Sequence, residues 1–133
     1  MSQGYSGTPL FKKLGMKNGS SWLLINAPEN YFSLLGPAEG VEFGDSGPDL
    51  DGIHVFTNDL AQLESHMLKL PSQIKRNGAI WFSWFKKSAK LPTEITEDII
   101  RDTALSLGLV DVKVCAVDAK WSALKIVWRV ENR

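Results

Sequence analysis

The chain predicts an α/β domain, and three observations carry that prediction. Short continuous apolar runs, Ser21–Asn26 (SWLLIN), Ile53–Phe56 (IHVF) and Ala79–Phe85 (AIWFSWF), read as strands covered on both faces. Segments with helical spacing of apolar residues separate them, which implies parallel neighbours joined by right-handed crossovers. The last two strand-like runs, Leu109–Val117 and Ala123–Val130, are joined only by Asp118–Ser122. That link is too short for a crossover, so the final pair must be antiparallel. The expected architecture is one three-layer, Rossmann-like domain over residues 1–133, with a mostly parallel sheet ending in an antiparallel hairpin. Methyltransferase-like folds finish in this way.

The elements follow in order. Thr8 can cap a short helix with Pro9 in its first turn, Leu10, Phe11 and Leu14 as its stripe, and Gly15 closing it. Lys17-Asn18-Gly19 is a turn signal, followed by the first strand. Ala27–Asn30 breaks that strand, and Tyr31–Leu35 reads as a short helix ended by Gly36-Pro37. Five glycines and two prolines in residues 36–52 predict a short strand at Val41–Phe43 and then a surface loop, GDSGPDLDG. Its acids Asp45, Asp49 and Asp51 lack the regular ligand pattern and distal glutamate of a calcium loop. Asn58 or Asp59 caps a helix to about Leu70, with Leu60, Leu63, Met67 and Leu70 at helical spacing. Pro71 stops it, and Asn77-Gly78 reads as a turn into the aromatic strand. Lys86–Pro92 is a basic loop. Thr93 begins a helix with Ile95, Ile99, Leu105 and Leu107 as its apolar contacts, closed by Gly108.

The totals narrow the function classes. A chain of 133 residues buries about two-thirds of its unfolded surface. Hydrophobic residues are 44% and charged residues 23%, and the formal net charge is zero. Nothing global draws such a chain to nucleic acid or an anionic membrane, and no apolar run approaches the roughly 20 residues of a membrane span. The stretch MSQGYSGTPLFKKLG has no apolar core, so no signal peptide is expected. The single cysteine, Cys115, fits a reducing, cytoplasmic setting. The charges are segregated along the chain. Residues 1–20 carry three lysines and no acid, 28–64 carry eight acids and no Lys or Arg, and 69–90 carry six basic residues and no acid. Different solvated faces are the plain reading of this pattern.

Ligands of open α/β sheets bind beyond the carboxyl ends of the parallel strands. That rule selects Asn26 after the first strand and Asn58 after the third. It also selects Trp84, Lys86, Lys87 and Ser88 around the end of the aromatic strand, and Asp118, Lys120, Trp121 and Ser122 in the last turn. The first βα turn, NAPENYFSLLG, lacks the glycines that let backbone amides approach a pyrophosphate, and Pro28 removes a donor. Lys86, Lys87 and Lys90 precede a helix start with Thr93 and Thr96, which suits an anion, although Glu94, Glu97 and Asp98 already complement that helix end. Trp22, Trp81 and Trp128 read as core, whereas Trp84 and Trp121 at strand ends serve equally as core or pocket wall. His54 in an apolar strand reads as a satisfied core histidine and His66 as a surface residue. Cys115 reads as a buried, inert thiol, and Ser83 and Ser88 have no histidine partner in the sequence.

The strings TPLFKKLGMKNG, INAPENY, GAIWFSWFKKSAK and GLVDVKVCAVDAKWSALK resemble the small bacterial proteins grouped as domain of unknown function 3052. The similarity runs from Tyr5 to Arg133, and that family usually has a proline where this chain has Phe85. The resemblance implies a stand-alone cytosolic protein of this fold without an assigned activity. It also draws attention to Lys86, Lys87, Asp118, Trp121 and Ser122. The expected function is a non-catalytic ligand-binding or regulatory protein on a degenerate methyltransferase-like scaffold. Its anion-favouring site lies at the strand ends, and no cofactor is expected. Two alternatives stand beside it: an adenosylmethionine-dependent methyltransferase with an atypical cofactor turn, and a protein-interaction module. The partner expected is a small anionic ligand or a protein, with neither nucleic acid nor membrane.

Overall fold

In the computed structural model, residues 7–44 and 47–133 are described. Asp45 of the acidic loop lies outside these residues, as do residues 1–6 of the N-terminal stretch. The elements are α1 (Leu10–Leu14), β1 (Ser21–Ile25), α2 (Tyr31–Leu35), β2 (Glu42–Gly44), β3 (Leu50–Phe56), α3 (Leu60–Lys69), β4 (Ile74–Phe85), α4 (Glu97–Leu105), β5 (Leu109–Ala116) and β6 (Trp121–Trp128).

They form one six-stranded sheet in the order β2-β1-β3-β4-β6-β5. The first four strands in that order are parallel. β6 runs antiparallel to both β4 and β5. The hairpin therefore does not simply extend the sheet: its second strand slots between β4 and the first. No helix is long and apolar enough to cross a membrane among the described residues.

Both faces of the sheet are covered. On one, Ile53, Val55, Ile80, Phe82, Leu124 and Ile126 pack under α3 and α4 through Leu63, Met67, Ile100 and Ala104. On the other, Trp22, Phe56, Trp81 and Ala123 pack under α1 and α2 through Leu10, Leu14, Tyr31 and Leu35. Trp81 is fully buried, and its indole N–H donates to the Leu14 carbonyl at 3.0 Å, tying α1 to the sheet centre. Trp22 is buried as well, its indole lying over Gly52 on the neighbouring strand. Trp128 is only half-buried, with the Arg76 guanidinium 4.2 Å from its ring centre.

Several boundaries differ from the sequence expectation. Pro9, not Thr8, occupies the N-cap of α1, and no side chain caps it, while Gly15 closes the helix in the left-handed region as expected. Asp51 belongs to β3 rather than to the acidic loop. It accepts from the Ser21 amide at 2.9 Å and pairs with Lys75 at 2.9 Å. Asn77-Gly78 makes no turn but lies inside β4, at a register shift opposite Leu50–Gly52. A strand was hidden there because glycine within a strand often marks a bulge. The α4 helix starts after Thr96, which caps the Ile99 amide, and not at Thr93. Its buried residues are Ile100 and Ala104, whereas Leu105 and Leu107 are exposed. β6 begins at Trp121 and ends at Trp128, displaced by two residues from Ala123–Val130.

A methyl group on Gly52 would stand 2.4 Å from the Trp22 indole. Gly52→Ala should therefore cost about 1–3 kcal/mol through overpacking, read from urea unfolding followed by tryptophan fluorescence. Unchanged stability would show that Trp22 does not rest on this glycine.

Candidate functional site

The principal cleft, of about 710 Å³, opens beyond the carboxyl end of β4. Trp84, Phe85 and Ile95 give it an apolar wall, with Lys86 and Lys87 at the rim and Ser122 contributed by β6. Residues Thr93–Asp98, leading into α4, form the opposite side.

Local hydrogen bonds explain why the loop after β4 takes this course. Asn58, just past β3, accepts from the Phe85 amide through its side chain at 2.8 Å and from the Glu94 amide through its carbonyl at 2.9 Å. Glu94 in turn accepts from the Leu60 amide at the start of α3, at 2.8 Å. One asparagine thus holds both ends of the basic loop against the end of β3. Thr93 accepts from the Ile95 amide at 3.1 Å, and Ile95 is buried. The last turn closes the other side: Asp118 accepts from the amides of Lys120 and Trp121, and the Lys86 amide donates to the Lys120 carbonyl. Trp121 packs on Phe85, with ring centres 4.3 Å apart, and meets Phe56 edge-on at 4.9 Å.

The acidic groups of the cleft already have partners. Arg101 binds Glu97 and Asp98 of its own helix and Asp111 of β5, so these carboxylates anchor α4 to the sheet. Lys86 and Lys87 form no ion pair among the described residues. The cleft therefore combines an aromatic wall with two ammonium groups that form no ion pair among the described residues, a combination suited to a flat or apolar body that carries an anionic head.

Of the ten residues selected from the sequence, Trp84, Lys86, Lys87 and Ser122 line this cleft. Asn58, Asp118, Lys120 and Trp121 shape it from behind. Ser88 sits exposed in the helical turn Lys87–Ala89 and does not line it. Asn26 lies apart, at the end of β1, in the left-handed region with φ 59°. Sequence reasoning did not select Glu94 or Ile95 for the site. Glu94 was assigned only to the helix dipole, and its bond to α3 depends on a contact 34 residues away in the chain.

A second polar group lies wholly inside the protein. His54 is completely buried, its Nδ1 2.8 Å from the Tyr31 hydroxyl and its Nε2 2.6 Å from Ser83 Oγ. The core-histidine reading stands, and Ser83 does have a histidine partner, supplied by the neighbouring strand. Burial, with a smaller contribution from Cys115, raises the Tyr31 hydroxyl well above the usual tyrosine range. Both hydroxyls can donate or accept, so a neutral imidazole is satisfied at both ring nitrogens in either tautomer, one nitrogen donating and the other accepting. Burial pushes the His54 imidazole down to about 3, so it is neutral in the folded protein. Burial also pushes the Cys115 thiol up to about 11, against the opposing pull of Lys13 and Lys113. It is half-buried and stays protonated near neutrality. Among the described residues no group of three His, Cys, Asp or Glu is placed to hold a metal ion.

The chain matches no protein-family model and no curated protein. Many solved structures share its fold. A SAM-dependent methyltransferase from Aquifex aeolicus superposes with a TM-score of 0.62 at 13% identity, over 86% of this chain and 85% of that one. The N-methyltransferase NodS from Bradyrhizobium japonicum gives 0.58 at 13%, over 87% and 90%. A magnesium protoporphyrin IX methyltransferase from Synechocystis, with bound SAM, gives 0.58 at 11%, over 90% and 74%. The scaffold is methyltransferase-like.

The first βα turn of this chain does not fit a nucleotide cofactor cradled by backbone amides. No glycine lies between Ile25 and Tyr31, and Pro28 has no N–H. Asn30 makes no side-chain cap, and Tyr31, which opens the five-residue α2, turns its ring inward to His54.

The His54 environment predicts an acid limb of stability. The unfolded chain takes up a proton near pH 6.5 and the folded one only near 3. Stability from this group is thus complete above about pH 6.5 and declines as pH falls toward 3, by up to roughly 1.4 kcal/mol per pH unit. Imidazole carbon-13 shifts of the folded protein should stay those of neutral histidine down to pH 4. Titration of His54 near 6.5 in the folded state would contradict this burial.

Proposed function

We propose that this protein binds a small organic anion in the cleft at the end of β4, on a methyltransferase-like scaffold that no longer serves methyl transfer. The observation that carries the reading is the unpaired Lys86–Lys87 rim beside the Trp84–Phe85–Ile95 wall. Lys86 and Lys87 bind the carboxylate or phosphate head, and the aromatic wall takes the body of the ligand. Ser122 offers a hydroxyl across the opening. Asn58 and Asp118 act as positioning residues, because they hold the loops that carry these groups.

A second reading, an adenosylmethionine-dependent methyltransferase with an atypical cofactor turn, draws its support from the solved relatives of the fold, one of them with bound SAM. The two readings part at the first βα turn, where Pro28 and the inward Tyr31 favour the binding role.

Thermal unfolding against a panel of phosphates, carboxylates and adenosylhomocysteine tests both. A ligand at about 100 times its dissociation constant adds roughly 2.7 kcal/mol and raises the midpoint by several degrees. The expected result is a shift with an anionic ligand that disappears in the Lys86→Ala, Lys87→Ala double variant. Affinity unchanged in that variant would sink the cleft assignment, and a shift with adenosylhomocysteine would restore the enzyme reading.

A further inference from the structure

The lysines of the first acid-free block, residues 1–20, play no part in the cleft, which opens on the α3–α4 face. On the other face one of them, Lys17, comes near a cation of β6, Lys125. Lys125, in the middle of β6, pairs directly with Trp81. Residues paired across strands project to the same face, and the Trp81 indole reaches Leu14 of α1. Lys125 therefore stands on the α1 face. Opposite it, β5 bulges. Between the pairs Asp111–Ile126 and Val114–Leu124, residues Val112 and Lys113 face Lys125 alone. Lys17 lies in the loop after α1, just beyond the buried Met16.

Lys125 stands beside Lys113 across the strand pair, and Met16, next to Lys17, packs in the same cluster as Trp81, the cross-strand partner of Lys125. Burial first, and then Lys113 and Lys17, hold Lys125 below the usual lysine range. None of the three forms an ion pair among the described residues. Half-burying an ammonium beside two like charges is unfavourable, and a bound oxyanion reverses the sign of that interaction.

We infer that Lys17, Lys113 and Lys125 form a second anion site, on the α1 face, that takes a multivalent oxyanion of the phosphate or pyrophosphate type. The site draws one cation from each of the α1–β1 loop, the β5 bulge and β6, so it exists only in the folded sheet. It is independent of the cleft and of the function proposed for it.

The test is a titration of the nitrogen-15-labelled protein with sodium pyrophosphate, and separately with inorganic phosphate, at constant ionic strength. Amide shifts are expected around Lys17, Lys113 and Lys125, with tighter binding of pyrophosphate if a diphosphate group is the natural occupant and equal binding if a single phosphate suffices. Each of Lys125→Gln and Lys113→Gln should weaken binding about tenfold, the effect of losing one charge-assisted contact, and the Lys86→Ala, Lys87→Ala variant should bind unchanged. Lys17 and Lys113 are exposed, so Lys17→Gln and Lys113→Gln keep the test open if Lys125→Gln folds poorly. No shift at these amides in millimolar pyrophosphate, or shifts insensitive to Lys113→Gln and Lys17→Gln, would overturn the site.

Discussion

A histidine in the middle of an apolar sheet has to find two hydrogen-bonding partners, and much of this molecule follows from how His54 finds them. An unpaired imidazole there would carry the full desolvation cost of its ring nitrogens. Ser83 on β4 answers one nitrogen and Tyr31 answers the other. Meeting the second need draws the first side chain of α2 into the core, where it also packs edge-on against Phe56. The first βα turn is thereby followed by an aromatic ring that points into the core. The cleft lies two strands along, at the end of β4.

That concavity depends on the unusual end of the sheet. Because β6 inserts beside β4, the carboxyl end of β4 is bordered by the start of an antiparallel strand instead of by another parallel one. Ser122 and the Asp118 turn come with it. On the other side the basic loop is held by Asn58 and Glu94, which share one short network with the start of α3. Three elements distant in sequence therefore converge on the lysine pair. Of the acidic residues nearby, Glu97, Asp98 and Asp111 bind Arg101, which fastens α4 to β5, and none pairs with Lys86 or Lys87.

The sheet was legible in the sequence wherever apolar runs were long and bounded by turn residues. The antiparallel ending was legible from loop length alone. Boundaries failed where a local signal had a tertiary answer. Asn77-Gly78 looked like a turn, yet Gly78 is a strand residue whose missing side chain lets β4 pass close to the Asp51 carbonyl. Leu105 and Leu107 read as apolar contacts but face outward, because the buried side of α4 runs through Ile100 and Ala104, one turn apart, and Leu107 lies beyond the end of the helix. The topological rule for strand ends found the lysines and tryptophans of the cleft but placed Asn26 and Ser88 with them, since it knows the edge of a sheet and not which stretch of that edge is hollow. The Tyr31–His54–Ser83 chain left no sequence signal, its members being separated by 23 and 29 residues.

The bulge in β5 has a consequence beyond the lysine it presents. The sheet has two outer edges, β2 and β5. β2 is only three residues long, and β5, the longer edge, breaks its hydrogen-bonding rhythm where Val112 and Val114 are exposed. A flat eight-residue edge rich in valine would be a template for a strand from another molecule, whereas a kinked edge carrying a lysine is a poor one. In a chain with no net charge to keep copies apart, this interruption makes the longer edge a poor match for a second strand.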